Sequence, residues 1–115
     1  MTGQSSAKTF STRNYRLQTC VVLPEVTIGY ATLGTLAADR GDAVLITHGN
    51  TSGPQMIDPG GSTGEGSWNE LVGPGKAVDT NRYFAICPNM LGSSYGSTNA
   101  RSIDPATGKP YGSQF

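Results

Sequence analysis

Ala43-Val-Leu-Ile-Thr47 is a short continuous apolar run, and His48-Gly49 follows it at once. A run without alternation reads as a central strand buried on both faces. Tyr83-Phe-Ala-Ile-Cys87 is a second such run, ended by Pro88. Between them, Trp68–Val72 and Lys76–Asp79 each have the length of one helical turn. Two buried strands joined through a helix make a right-handed βαβ unit, so the sequence predicts a mixed sheet in an α/β fold.

Upstream, residues 14–22 and 26–33 alternate apolar with polar side chains, the pattern of half-buried strands. Leu23-Pro24-Glu25 reads as the tight connection of an antiparallel hairpin. Residues 1–12 read as a flexible N-terminus, and residues 13–115 as part of one domain. Gly is 16 and Pro is 7 of 115 residues, crowded into the second half, so long shaped loops are expected there. Residues 50–67 form one such loop, and residues 89–115 show no helical or strand period. Loops of that length are usually functional.

Composition removes several classes. Lys plus Arg number 8 and Asp plus Glu number 8, so no basic face invites nucleic acid or an acidic membrane surface. No apolar run approaches the roughly 20 residues of a membrane span, and no secretory leader is seen. A cytoplasmic protein is the default expectation. Cys20 and Cys87 sit in strand-like surroundings and are expected to be buried free thiols. With one histidine and no Cys/His cluster, no bound metal or cofactor is expected. Asp58, Glu65, Glu70, Asp79 and Asp104 show no pairing, and each reads as solvated or as a turn cap.

The strand followed by His48-Gly49-Asn50-Thr51-Ser52-Gly53 carries the clearest chemistry. In α/β hydrolases, a His-Gly loop after the third strand turns one backbone N–H toward the substrate carbonyl, half of an oxyanion hole. Glycine there lets backbone and substrate approach closely. A plain strand-to-loop turn is the alternative. His48 reads either as a general base or, in the simpler reading, as a structural residue that ties the loop down. Gly92-Ser93-Ser94-Tyr95-Gly96 satisfies G-x-S-x-G literally. A nucleophile elbow needs a strand running into the serine and a helix starting after it, and neither is predicted around Ser94.

Three blocks then carry a resemblance: GPGKAVDTNRYF at 73–84, CPNMLGSSYGST at 87–98 and DPATGKPYG at 104–112. Together with Leu23-Pro-Glu25, Ile28-Gly-Tyr30 and the strand into His48, they resemble the homoserine O-acetyltransferase family closely. The resemblance covers nearly everything after Tyr15. It implies the N-terminal part of an α/β-hydrolase fold: a mixed, mostly parallel sheet with an N-terminal antiparallel hairpin, ending before the nucleophile elbow. It implies a serine acyl-enzyme that takes an acetyl group from acetyl-CoA as cosubstrate and passes it to a hydroxyl acceptor such as homoserine. On this reading the triad lies downstream of this segment. Gly49, Asn50 and Thr51 form the oxyanion loop, His48 is structural at the site, and Ser94 and Tyr95 line the pocket. The implied partners are a small-molecule substrate, the remainder of the same enzyme and, as in relatives, a second copy. The family's loop usually reads H-A-L-T-G, so Asn50 stands where leucine is usual. A serine esterase of the same family, or a non-catalytic fragment, are the alternatives.

Overall fold

The computed structural model describes residues 8–50, 52–61 and 66–115. β1 (Lys8–Arg16) and β2 (Val22–Leu33) form the expected antiparallel hairpin, from Lys8 opposite Tyr30 to Arg16 opposite Val22. Two boundaries differ from expectation. Residues 8–12, expected within a flexible N-terminus, belong to β1, where β2 supplies their ladder partners. Cross-strand bonds reinforce them: Lys8 Nζ donates to Thr32 Oγ1 (2.7 Å), and the hydroxyls of Ser11 and Thr27 lie 2.8 Å apart.

The hairpin turn is at residues 17–21, not at Leu23-Pro24-Glu25. Leu17 N–H donates to Val21 O (2.8 Å) and Cys20 N–H to Leu17 O (2.9 Å). Pro24 stays inside β2 because the ladder skips the position opposite it, where Asn14 adopts φ 54. A proline's missing N–H is tolerated in a strand where the partner steps out. Leu23 and Val26, either side of Pro24 and Glu25, are buried.

β3 (Ala43–Leu45) and β6 (Phe84–Pro88) complete a sheet of order β1-β2-β6-β3. β2 pairs with β6 antiparallel, and β3 with β6 parallel. This four-stranded sheet is mixed, as expected, but of its described pairings only β3–β6 is parallel. β3 is the edge strand here, and Leu45 is 65% exposed, so the expected burial on both faces is not met. Ile46 extends the ladder by donating to Ile86 O (2.8 Å) and turns inward.

The β3–β6 connection contains no α-helix among its described residues. It holds a 3₁₀ turn (Pro54–Ile57) and a two-stranded ribbon, β4 (Val72–Gly73) parallel to β5 (Val78–Asp79). Trp68–Val72 does close one turn, with Val72 N–H donating to Trp68 O (3.1 Å), but the chain then enters β4. Lys76–Asp79, expected as a helical turn, leads into β5. Gly73 and Gly75 hold φ 153 and φ 73, which end any helix and suit glycine alone. A single turn without successors does not repay helix nucleation.

Asp79 stabilises this loop by accepting Gly75 N–H (2.8 Å) and Asn81 N–H (3.0 Å). Those two bonds, Gly75 first, hold its carboxyl below the usual carboxylate range, and Arg82 adds to the effect.

Ala31, Ile46, Met56, Ile57, Val72, Ala85 and Cys87 form one core on one face of the sheet. Leu23, Val26 and Tyr111 form a second, with Leu91 and Phe115 against it. The alternate residues Phe10, Ile28, Tyr30, Phe84 and Ile86 line the other face, which the described residues leave open. The segment 89–115 is irregular, as expected. Asp104, read as a turn cap, accepts Ala106 N–H (2.8 Å).

The thiols also divide. Cys87 is fully buried, as expected, while Cys20 is exposed at φ 69 in the hairpin turn. A strand-like sequence around Cys20 did not register that it sits at the turn. Burial, with the Asp58 carboxylate adding, pushes the Cys87 thiol up to about 11.

Two outcomes are predicted. Iodoacetamide in native buffer alkylates Cys20 and spares Cys87, read by peptide mapping; labelling of both at similar rates contradicts the packing. Because the Asp79 pKa is depressed, its contribution is present above the ordinary carboxylate value near 3.8 and is lost as pH falls through the folded value. Exchange protection of the Gly75 and Asn81 amides therefore drops in that acid window, and Asp79→Asn abolishes the pH dependence.

Candidate active site

β6 ends at Pro88, whose missing N–H faces β3 rather than β2. Pro88 pairs with Tyr30, and beyond it the inner edge of β2 has no strand partner. The loop after β6 takes over those backbone groups. Asn89 N–H donates to Gly29 O (2.7 Å), and Gly29 N–H donates to Ser97 Oγ (3.1 Å). Thr98 N–H donates to Thr27 O (2.8 Å), while Thr27 N–H donates to Thr98 Oγ1 (2.8 Å). Asn99 Nδ2 reaches Ser93 O and Ser97 O (3.3 and 3.2 Å) from inside the loop. Residues 89–98 are thus stapled to β2 by buried and partly buried bonds, each of net worth about 1 kcal/mol.

Gly29 makes the approach feasible. A Cβ there would lie 2.5 Å from Tyr95 O and 3.3 Å from Gly96 Cα. Gly53 does the same for the ring, since a Cβ there would lie 2.7 Å from Tyr95 Cδ2. Tyr95 is therefore seated between two glycines, one on β2 and one on the loop after β3.

The loop after β3 is closed from its own side. Ser52 N–H donates to Gly49 O (3.1 Å), and His48 Nδ1 lies 2.8 Å from the same oxygen. His48 Nε2 lies 3.0 Å from Asn89 Oδ1. Both His48 and Asn89 are buried. Both ring nitrogens of His48 are thus engaged by loop groups. Asn50, by contrast, is exposed and its N–H has no hydrogen-bond partner among the described residues. Thr51 lies outside the described residues.

The two loops meet around an open cleft of about 470 Å³ lined by Asn50, Ser52, Met90, Leu91, Ser94 and Tyr95, with Gly92 and Ser93. Residues far apart in sequence, Asn50 on one loop and Ser94 and Tyr95 on the other, share one surface. Ser94 is exposed between Gly92 (φ 92) and Gly96 (φ 90), with no strand entering and no helix following, so it is not an elbow serine. Sequence reasoning did not single out Asn89 or Gly29. Asn89 had a weak signal, an amide directly after a strand-ending proline; Gly29 had none beyond being a glycine inside a strand pattern.

Gly29→Ala is predicted to destabilise the protein by about 1–3 kcal/mol, because the added methyl meets backbone that cannot rotate away. Urea unfolding checks this, and a change below about 0.5 kcal/mol contradicts the close approach.

No family model matches the chain. A homoserine O-acetyltransferase of Geotalea daltonii is 46% identical over 109 residues, 93% of this chain and 29% of the relative. A serine O-succinyltransferase of Schizosaccharomyces pombe is 44% identical over 94 residues, 82% of this chain and 19% of the relative. The crystal structure of a homoserine O-acetyltransferase from Bacillus anthracis matches with TM-score 0.81 at 32% identity, over 97% of this chain and 32% of its own. Esterase E22 matches with TM-score 0.81 at 27% identity, over 97% of this chain and 33% of its own. The chain spans about a third or less of the proteins it matches. Over the region they share, sequence and fold agree: the chain has an α/β-hydrolase framework and is similar there to homoserine O-acetyltransferases.

Proposed function

We propose that this chain supplies the oxyanion loop and one wall of the acyl pocket of an acyltransferase. The enzyme moves an acetyl or related acyl group from acyl-CoA, with acetyl-CoA the favoured cosubstrate, to a hydroxyl acceptor such as homoserine. The nucleophilic serine, its acid and its base come from outside these 115 residues. One observation carries the reading: Asn50 holds a backbone N–H with no partner among the described residues, at the cleft that Ser94 and Tyr95 also line.

The chemistry follows from the geometry. Attack of a serine oxygen on a thioester carbonyl, with the serine proton passing to the base, puts negative charge on the carbonyl oxygen. A fixed N–H beside it stabilises the charge without reorganising, and removing one such donor typically costs about 10²–10³ in kcat. The second donor in this fold is the N–H after the nucleophile. The intermediate collapses by C–S cleavage, the CoA thiol leaving with the proton held by the base, and gives an acyl-serine. The acceptor hydroxyl then attacks that ester and gives its proton to the base, and the serine oxygen leaves and is reprotonated.

A serine esterase is the second reading. Asn50 places a polar side chain where the family usually has leucine, and esterase E22 matches the fold as well as the acetyltransferase does. Acyl-CoA turnover that rises with added homoserine supports the transferase, and hydrolysis of a model ester with no acceptor effect favours the esterase.

Asn50→Pro in the full-length protein deletes the N–H and is predicted to lower kcat by about 10²–10³. Asn50→Leu keeps the N–H and stays within about tenfold of the parent. Equal kcat for the two variants would remove Asn50 as a donor.

A further inference from the structure

The oxyanion reading of Asn50 leaves open what aims its N–H. Gly49 O and Asn50 N–H belong to one peptide unit, and no cis peptide is present among the described residues, so the two point in opposite directions. Whatever pins Gly49 O therefore directs Asn50 N–H. Two groups converge on that oxygen, Ser52 N–H (3.1 Å) and His48 Nδ1 (2.8 Å).

A carbonyl oxygen only accepts, so His48 Nδ1 carries a proton. The other ring nitrogen, Nε2, meets Asn89 at 3.0 Å. With Asn89 Oδ1 facing it, two defects arise. The ring needs a second proton although no carboxylate hydrogen-bonds it, and Asn89 Nδ2 is buried with no hydrogen-bond partner among the described residues. Turning the amide by half a revolution cures both. Nδ2–H then donates to a bare Nε2, and the oxygen takes the vacated place, where an unsatisfied acceptor is better tolerated than an unsatisfied donor.

Resting on the oxyanion reading, we infer that Asn89 is a positioning residue for acyl transfer: it donates Nδ2–H to His48 Nε2, holds His48 as the Nδ1–H tautomer, and so aims Asn50 N–H into the cleft. The same residue donates its backbone N–H to Gly29 O, so β2 supports the whole relay. Asn89 touches no reacting atom; it acts through His48 and the Gly49–Asn50 peptide.

The test uses the ¹⁵N-labelled full-length protein in mildly alkaline buffer, with the His48 signals identified by their loss in His48→Gln. Two-bond ¹H–¹⁵N correlations are expected to show the proton on Nδ1. A proton on Nε2, or on both nitrogens, overturns the inference, and this readout needs neither activity nor a variant of Asn89. Asn89→Asp offers only acceptors at that pH. It is expected to move the proton to Nε2 and to lower kcat for p-nitrophenyl acetate by about 10- to 100-fold, with KM changed less than about threefold. A folded Asn89→Asp protein with parental kcat overturns the positioning role even if the tautomer is Nδ1–H. If Asn89→Asp does not fold, Asn89→Leu serves in its place, with the same kcat loss expected and a parental kcat overturning the role. Should the parent protein turn over neither acyl-CoA nor ester, the acyl-transfer reading fails and the positioning role falls with it. The tautomer would still decide whether the Asn89–His48 clasp exists.

Discussion

The carbonyl of Gly49 is held from two sides, by Ser52 N–H and by the His48 ring, and the orientation of the site depends on that grip. Peptide planarity converts it into a direction for Asn50 N–H. The His48 ring is in turn buried against Asn89, whose backbone N–H is bonded to Gly29 O on β2. A strand in the middle of the sheet is thus tied through Asn89 and His48 to the loop after β3. The His48–Asn89 link is buried, and a buried unpaired polar group costs about 1–3 kcal/mol, so that link favours one arrangement.

The end of β6 sets up the other half. Past Pro88 only Asn89 N–H, bonded to Gly29 O, continues the ladder to β2. The free edge of β2 is then claimed by Asn89, Ser97 and Thr98, which bring Tyr95 against Gly29 and Gly53. The cleft wall is a by-product of backbone bookkeeping: groups left over by a short strand are satisfied by the next segment of chain.

The parts legible in the sequence were those with a strong local period or a direct chemical meaning. The apolar runs before His48 and before Pro88 do form adjacent parallel strands. The rejection of Ser94 as an elbow serine needed only the absence of a strand before it and a helix after it, and both absences stand in the structure. What stayed hidden was set by tertiary partners. Pro24 looks like a turn former, yet it sits in a strand because Asn14 leaves the ladder opposite it. Residues 8–12 look like a loose tail, and only β2 makes them a strand. Leu45 looks central and is at an edge. Asn89 looks like any polar residue after a strand, and only its burial beside His48 marks it.

The most direct measurement of the central claim is a crystal structure of the full-length protein with a phosphonate bound covalently to its reactive serine. The tetrahedral phosphonyl oxygen stands in for the charged oxygen of the acyl-transfer intermediate. Asn50 N–H is predicted to lie about 2.7–3.1 Å from that oxygen, with Gly49 O still held by His48. A phosphonyl oxygen bonded only by other donors, with Asn50 N–H turned away from it, would contradict the assignment of this loop to the oxyanion hole.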